Sequence, residues 1–81
     1  MRFPDEISAD IITRLRRVEG QIRGIQRLVD EGSECKDVVT QLSAARGALD
    51  RIGFKLMAAA LTDPERGADV DELERLFLKL S

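Results

Sequence analysis

Cys35 and two runs of basic residues are the side chains in this sequence whose types and spacing could do chemistry or hold a charged partner. Cys35 is the only cysteine in 81 residues. It opens an amphipathic stretch, within what would be the first turn of a helix, where free backbone N–H groups and the helix dipole favour a thiolate. Glu34 and Asp37 beside it oppose that charge, and the alternative is a small hydrophobe on an apolar seam. Residues 11–29 carry five arginines (Arg14, Arg16, Arg17, Arg23, Arg27) against Glu19 alone, and residues 46–55 carry Arg46, Arg51 and Lys55 against Asp50. The remainder is acidic, with a net −3 over residues 30–37 and again over 63–81, so the whole chain sums to −2. A polyanion responds to the local field rather than to that total. The alternative is a solvated face whose arginine stems cover apolar surface.

Catalytic constellations are missing. The sequence has no His to act as a base. It has no Ser or Cys with a recognisable base partner, no glycine-rich phosphate loop and no paired metal-binding cysteines, so the expectation is that the protein is not an enzyme. No apolar run approaches the ~20 residues that span a bilayer, and Met1-Arg2-Phe3-Pro4 lacks a signal-peptide core. With one unpaired thiol, the expected location is the cytoplasm, with no membrane partner.

The elements that must carry these groups are helical. Ile11, Leu15, Val18, Ile22, Ile25 and Val29 step by four and three residues, the spacing of a coiled-coil seam. Arg16, Arg23 and Arg27 fall opposite that seam, with Arg14 and Arg17 on its flank. The first helix is expected over about residues 8–31, capped by Ser8 and stopped by Gly32. Ser33 then caps a second helix over about 34–62, whose stripe of Cys35, Val38, Leu42, Ala45, Leu49, Ile52, Leu56 and Ala59 repeats the pattern and ends at Thr62-Asp63-Pro64. A third helix over about 69–80 opens on the capping-box spacing of Asp69 and Glu72, with Leu73, Leu76, Phe77 and Leu80 on one face. Gly20 and Gly24 suggest close approach of another helix or of DNA backbone, the alternative being mere tolerance of a weak residue, and the small residues Ser43, Ala44, Ala45, Gly47, Ala48 and Gly53 suggest tight interhelical contact. The short 31–34 connection makes the long helices antiparallel. The expected architecture is one all-α domain over 1–81, a three-helix protomer whose small core is completed by a second copy to give a four-helix bundle.

The runs Arg14-Leu15-Arg16-Arg17-Val18-Glu19-Gly20-Gln21-Ile22-Arg23-Gly24-Ile25, then Cys35 with Asp37-Val38, then Gln41-Leu42-Ser43-Ala44-Ala45-Arg46-Gly47-Ala48-Leu49, resemble the copper-sensing and nickel/cobalt-sensing CsoR/RcnR family of bacterial transcription factors. The likeness covers about residues 8–62. It implies an all-helical dimer of dimers that binds double-stranded operator DNA without a helix-turn-helix and releases it when an inducer binds. It also implies DNA contact through Arg14 and Arg51, with Arg17, Arg46 and Lys55 in support, and an inducer site at Cys35.

The departures bear on the inducer. In copper-sensing relatives the metal is shared between the cysteine matching Cys35 and a His and a Cys of the partner subunit, at positions that are Ala60 and Pro64 here. Nickel/cobalt relatives need His ligands, and this chain has none. One thiol and no imidazole per subunit disfavour a soft-metal site, although a metal held through Cys35 stays open; no other cofactor is implied. Formaldehyde sensors of the family join the same cysteine to the N-terminal amine but carry Pro where Arg2 stands, and persulfide sensors need a second cysteine. The expectation is therefore a repressor whose Cys35 senses an electrophile, aldehyde or oxidant. The alternatives are a copper-type repressor with a divergent site, or a helical interaction subunit that senses nothing.

Overall fold

Pro4 starts the first helix. The computed structural model describes residues 2–62 and 70–81, and in it α1 spans Asp5–Asp30, α2 Cys35–Thr62 and α3 Val70–Leu80. Pro4 sits at the N-cap position with φ −57° and ψ 150°, and its carbonyl accepts the Ser8 N–H at 3.0 Å. Asp5 and Glu6 place negative charge in the first turn, where the helix dipole favours it. Ser8 is thus inside the helix, three residues beyond its start. A residue preset to φ near −65° wins over a hydroxyl cap further along.

The α1 end follows the expectation at Gly32. The Gly32 N–H donates to the Val29 carbonyl at 3.1 Å and the Ser33 N–H to the Leu28 carbonyl at 2.9 Å, a Schellman closure. Gly32 has φ +73°, the left-handed region in which a side chain is strained. The second helix begins one residue later than a Ser33 cap would give. The Glu34 carbonyl accepts the N–H groups of Asp37 (3.0 Å) and Val38 (3.2 Å), so Glu34 occupies the cap position and Cys35 is the first helical residue. The stop at Asp63-Pro64 and the Asp69 cap of the third helix lie outside the described residues.

Among the described residues α1 packs on α2, α2 packs on α3, and there is no strand. The thinnest dimension is 13 Å, about one helix diameter, so the protomer is a single layer. A single layer cannot enclose a side chain on all sides. Ile11, Val18 and Ile52 form the buried core, with Ile7, Ala48 and Leu56 packed against it, and Ile25 and Ala45 extend the row. The seam is split: Ile11, Val18 and Ile25 are buried, whereas Leu15, Ile22 and Val29 stay 43, 46 and 61% exposed. Two antiparallel helices consume one row of knobs, and the other row needs a further neighbour. At the far end Leu73 and Ala60 are buried, and Leu80 lies over Gly53. A Cβ on Gly53 would stand 2.6 Å from Leu80 Cδ2, so a larger residue here would push the Leu80 side chain aside. Around Gly20, Gly24 and Gly47 the space is open, and no helix of the protomer uses them. No helix is long and apolar enough to cross a membrane, among the described residues.

Candidate nucleic-acid interface and the Cys35 corner

Arg14, Arg17 and Gln21 follow one another along one side of α1, at a spacing of three and four residues that keeps them on the same row. Arg51 faces them from α2. Together they line a cleft of about 310 Å3 floored by Val18, Ala48 and Ile52. The floor is the protomer's own core, so the residues that hold the hairpin together also fix the spacing of the guanidinium groups on either side. Arg14 is half-buried, and its Nε donates to Asp10 Oδ2 at 3.0 Å. Arg17 and Arg51 make no ion pair among the described residues, and both are exposed. The cleft thus offers three guanidinium groups, from two helices, with one carboxylate at its edge.

The other expected contacts lie elsewhere. Lys55 is exposed one turn beyond Arg51 and does not line the cleft. Arg46 is on a different side of α2. It borders an apolar groove of about 590 Å3 between Ile22, Ile25 and Val29 of α1 and Leu42, Ala45 and Leu49 of α2. It also borders a smaller hollow of about 230 Å3 with Asp50, Phe54, Phe77 and Leu80. Arg46 and Arg51 are five residues apart, which at 3.6 residues per turn is about 140° around the helix. Grouping the two by charge run alone hides that difference. Arg23 pairs with Glu19 at 3.8 Å on the solvent side of α1, both side chains more than two-thirds exposed.

Two residues of this region escape a reading by basic charge. Gln21 is marked only by its place on the Arg14–Arg17 row. Asp10, at the cleft edge, is the Arg14 partner; its position four residues before Arg14 is the available signal.

Cys35 is exposed and free, not buried on the seam. It edges a shallow hollow of about 280 Å3 with Val29, Ser33, Val38 and Val39. It is the first residue of α2, next to the connection between the two long helices. The donor set does not fit a metal held by three protein ligands. There is one thiol and no imidazole in the chain, no group of three His, Cys, Asp or Glu side chains comes together among the described residues, and Ala60 is a buried methyl.

Comparison with known proteins bears on these features together. The copper-sensing transcriptional repressor RicR of Mycobacterium tuberculosis is 52% identical over 44 residues, 54% of this chain and 46% of that protein. The copper-sensing transcriptional repressor CsoR of Bacillus subtilis is 40% identical over 47 residues, 58% of this chain and 46% of that protein. This chain therefore spans about half the length of these two relatives. An uncharacterized protein from the bioA 5′ region of Serratia marcescens is 31% identical over 72 residues, covering 78% of this chain and 79% of its own. No solved structure matches. Residues 8–79 fit the family described as metal-sensitive transcriptional repressor, a span that takes in the arginine cleft, Cys35 and all but the last residue of α3. The all-helical hairpin, with its basic flank and lone cysteine, belongs to that family of transcriptional repressors.

Proposed function

We propose that the protein is a DNA-binding repressor that works as an oligomer and grips operator DNA through Arg14, Arg17 and Arg51. The gathering of three guanidinium groups from α1 and α2 around one cleft is the observation that carries this reading. Such groups bind phosphate oxygens with charge-assisted hydrogen bonds. Phosphate contacts fix position and orientation without reading bases, so sequence preference rests in part on the shape of the duplex. Lys55, one turn along, extends the same flank. Arg46 joins the DNA surface only where a second copy brings its side of α2 round to the same duplex.

The second copy has a place to go. Ile22, Val29, Leu42 and Leu49 are 44–61% exposed around the apolar groove, and an exposed stripe of this kind on a single-layer protomer is satisfied by another hairpin. Two hairpins closing on each other make a four-helix bundle, and pairs of bundles make the dimer of dimers that the family resemblance implies. Each added copy brings another arginine cleft to the same duplex.

The inducer in this reading acts at Cys35. Exposure of the thiol and the poor fit of the donor set to a metal favour a covalent modifier, an electrophile, aldehyde or oxidant. The copper-sensing relatives favour the other reading, a copper-type response with ligands arranged differently. One experiment separates these. The protein is challenged in turn with formaldehyde, persulfide and Cu(I), and binding to a duplex from immediately upstream of its own gene is followed by gel shift beside mass spectrometry of Cys35. Release that tracks an added mass on Cys35 supports the covalent reading, and a Cys35→Ala variant that still releases DNA sinks it. Specific binding of the upstream duplex over a mixed-sequence one supports repression; equal, weak, salt-sensitive binding of both supports a plain interaction subunit.

A further inference from the structure

We propose that Asp10 is an internal competitor for the Arg14 guanidinium and sets how tightly the cleft holds DNA phosphate. This rests on the reading of the cleft as the DNA interface. Of the three cleft arginines, Arg14 alone has a carboxylate within ion-pair distance among the described residues, Nε to Oδ2 at 3.0 Å. The pair lies on one face of α1 with side chains 35 and 49% exposed, open to an incoming duplex.

A carboxylate beside a binding arginine either orients it or occupies it. Orientation would show as weaker DNA binding once the carboxylate is removed, occupation as tighter binding. Occupation is costly to DNA binding in both outcomes. If phosphate displaces Asp10, a carboxylate is stranded next to the phosphodiester backbone. If phosphate shares the guanidinium, two anions sit on one cation and repel. The exposed pair is weak enough for DNA to displace it, so Asp10 lowers affinity without blocking binding. The carboxylate acts as a built-in stand-in for phosphate, and it moderates the salt-dependent attraction of a protein that must also let go.

The internal control is the Glu19–Arg23 pair, also four residues apart on α1 but away from the cleft, at 3.8 Å. Asp10→Asn and Glu19→Gln change net charge equally. Fluorescence anisotropy with a short mixed-sequence duplex, titrated across salt, is measured for the parent, both single variants, Arg14→Ala, Asp10→Asn/Arg14→Ala and Arg51→Ala. Asp10→Asn is expected to tighten binding ~2- to 5-fold and to steepen the salt dependence by up to about one unit of slope, and Glu19→Gln to do clearly less. In the Arg14→Ala background the Asp10→Asn gain shrinks to the Glu19→Gln level. Binding that is unchanged or weakened by Asp10→Asn, or a gain that persists without Arg14, overturns the competitor role. Arg51→Ala distinguishes the two failures. No effect of Arg51→Ala overturns the cleft as a DNA surface. A loss of binding with Arg51→Ala beside an inert Asp10→Asn overturns only the role of Asp10.

Discussion

The same two helices present opposite chemistry on their two flanks. On one flank Arg14, Arg17 and Gln21 of α1 and Arg51 of α2 line a cleft with charged walls, and on the other Ile22 and Val29 face Leu42 and Leu49 across an apolar groove. Between them runs the shared core row of Ile11, Val18 and Ile25 with Ala45 and Ile52. One flank is charged and stays wet; the other can be satisfied only by losing water. Under the proposed function a hairpin one helix thick gains from this division, because assembly through the apolar flank would leave the charged flank free for DNA.

The division can be broken from each side. A charge in the groove should have the largest effect. Leu49→Asp is expected to weaken self-association by ~100-fold or more, since assembly would bury an unpaired carboxylate. Analytical ultracentrifugation reads the loss, and DNA affinity should fall with it because the linked clefts no longer act together. A Leu49→Asp protein that assembles like the parent would show that the groove is not the subunit contact.

The row between the flanks comes next. Ile52→Ala removes a core side chain that also floors the cleft, and thermal or urea unfolding should show a loss of about 2–4 kcal/mol. Both flanks should fail together, whereas substitutions confined to one flank should spare the other.

Smaller effects belong to the charged flank alone. Arg14→Ala and Arg51→Ala are each expected to weaken duplex binding about 10-fold at low salt and to reduce the salt slope by about one, with association state and melting temperature unchanged. Arg46→Ala, on the other side of α2, should leave the salt slope nearly intact in a protomer kept from assembling by Leu49→Asp. A slope lost equally in Arg46→Ala would erase the contrast between the two sides of α2.

Glycine substitutions should produce the smallest change. Gly20 and Gly24 have open space where a Cβ would stand, so Gly→Ala at either should stabilise the protomer by up to about 1 kcal/mol. If either alanine variant also loses duplex binding or association, close approach of a partner to that face is the reason for the glycine. Parent-like binding means that the glycine is merely tolerated.

Much of the fold is legible in the residue order because it depends on local spacing. The three-and-four steps mark two long helices and their register, and Gly32 marks the turn between them through its left-handed backbone. Helix starts are less legible: Ser8 offers a hydroxyl cap, but α1 opens at Pro4, and the turn this adds carries Ile7 against the core. For the site, the Arg14–Arg17 row follows from helical phase. Its partnership with Arg51 does not, since it depends on how α2 is aligned against α1. Cys35 is similar: its position at the start of α2 is a sequence property, but its exposure is set by how the helices pack.

The sequence by itself determined helices, a basic first helix and one thiol, because each follows from composition or from contacts a few residues apart. Tertiary structure alone decided which half of the seam the protomer buries, which arginines share a cleft and which one borders the groove. A row of knobs offers the same spacing to any neighbour, and only the packed partner helix selects among them.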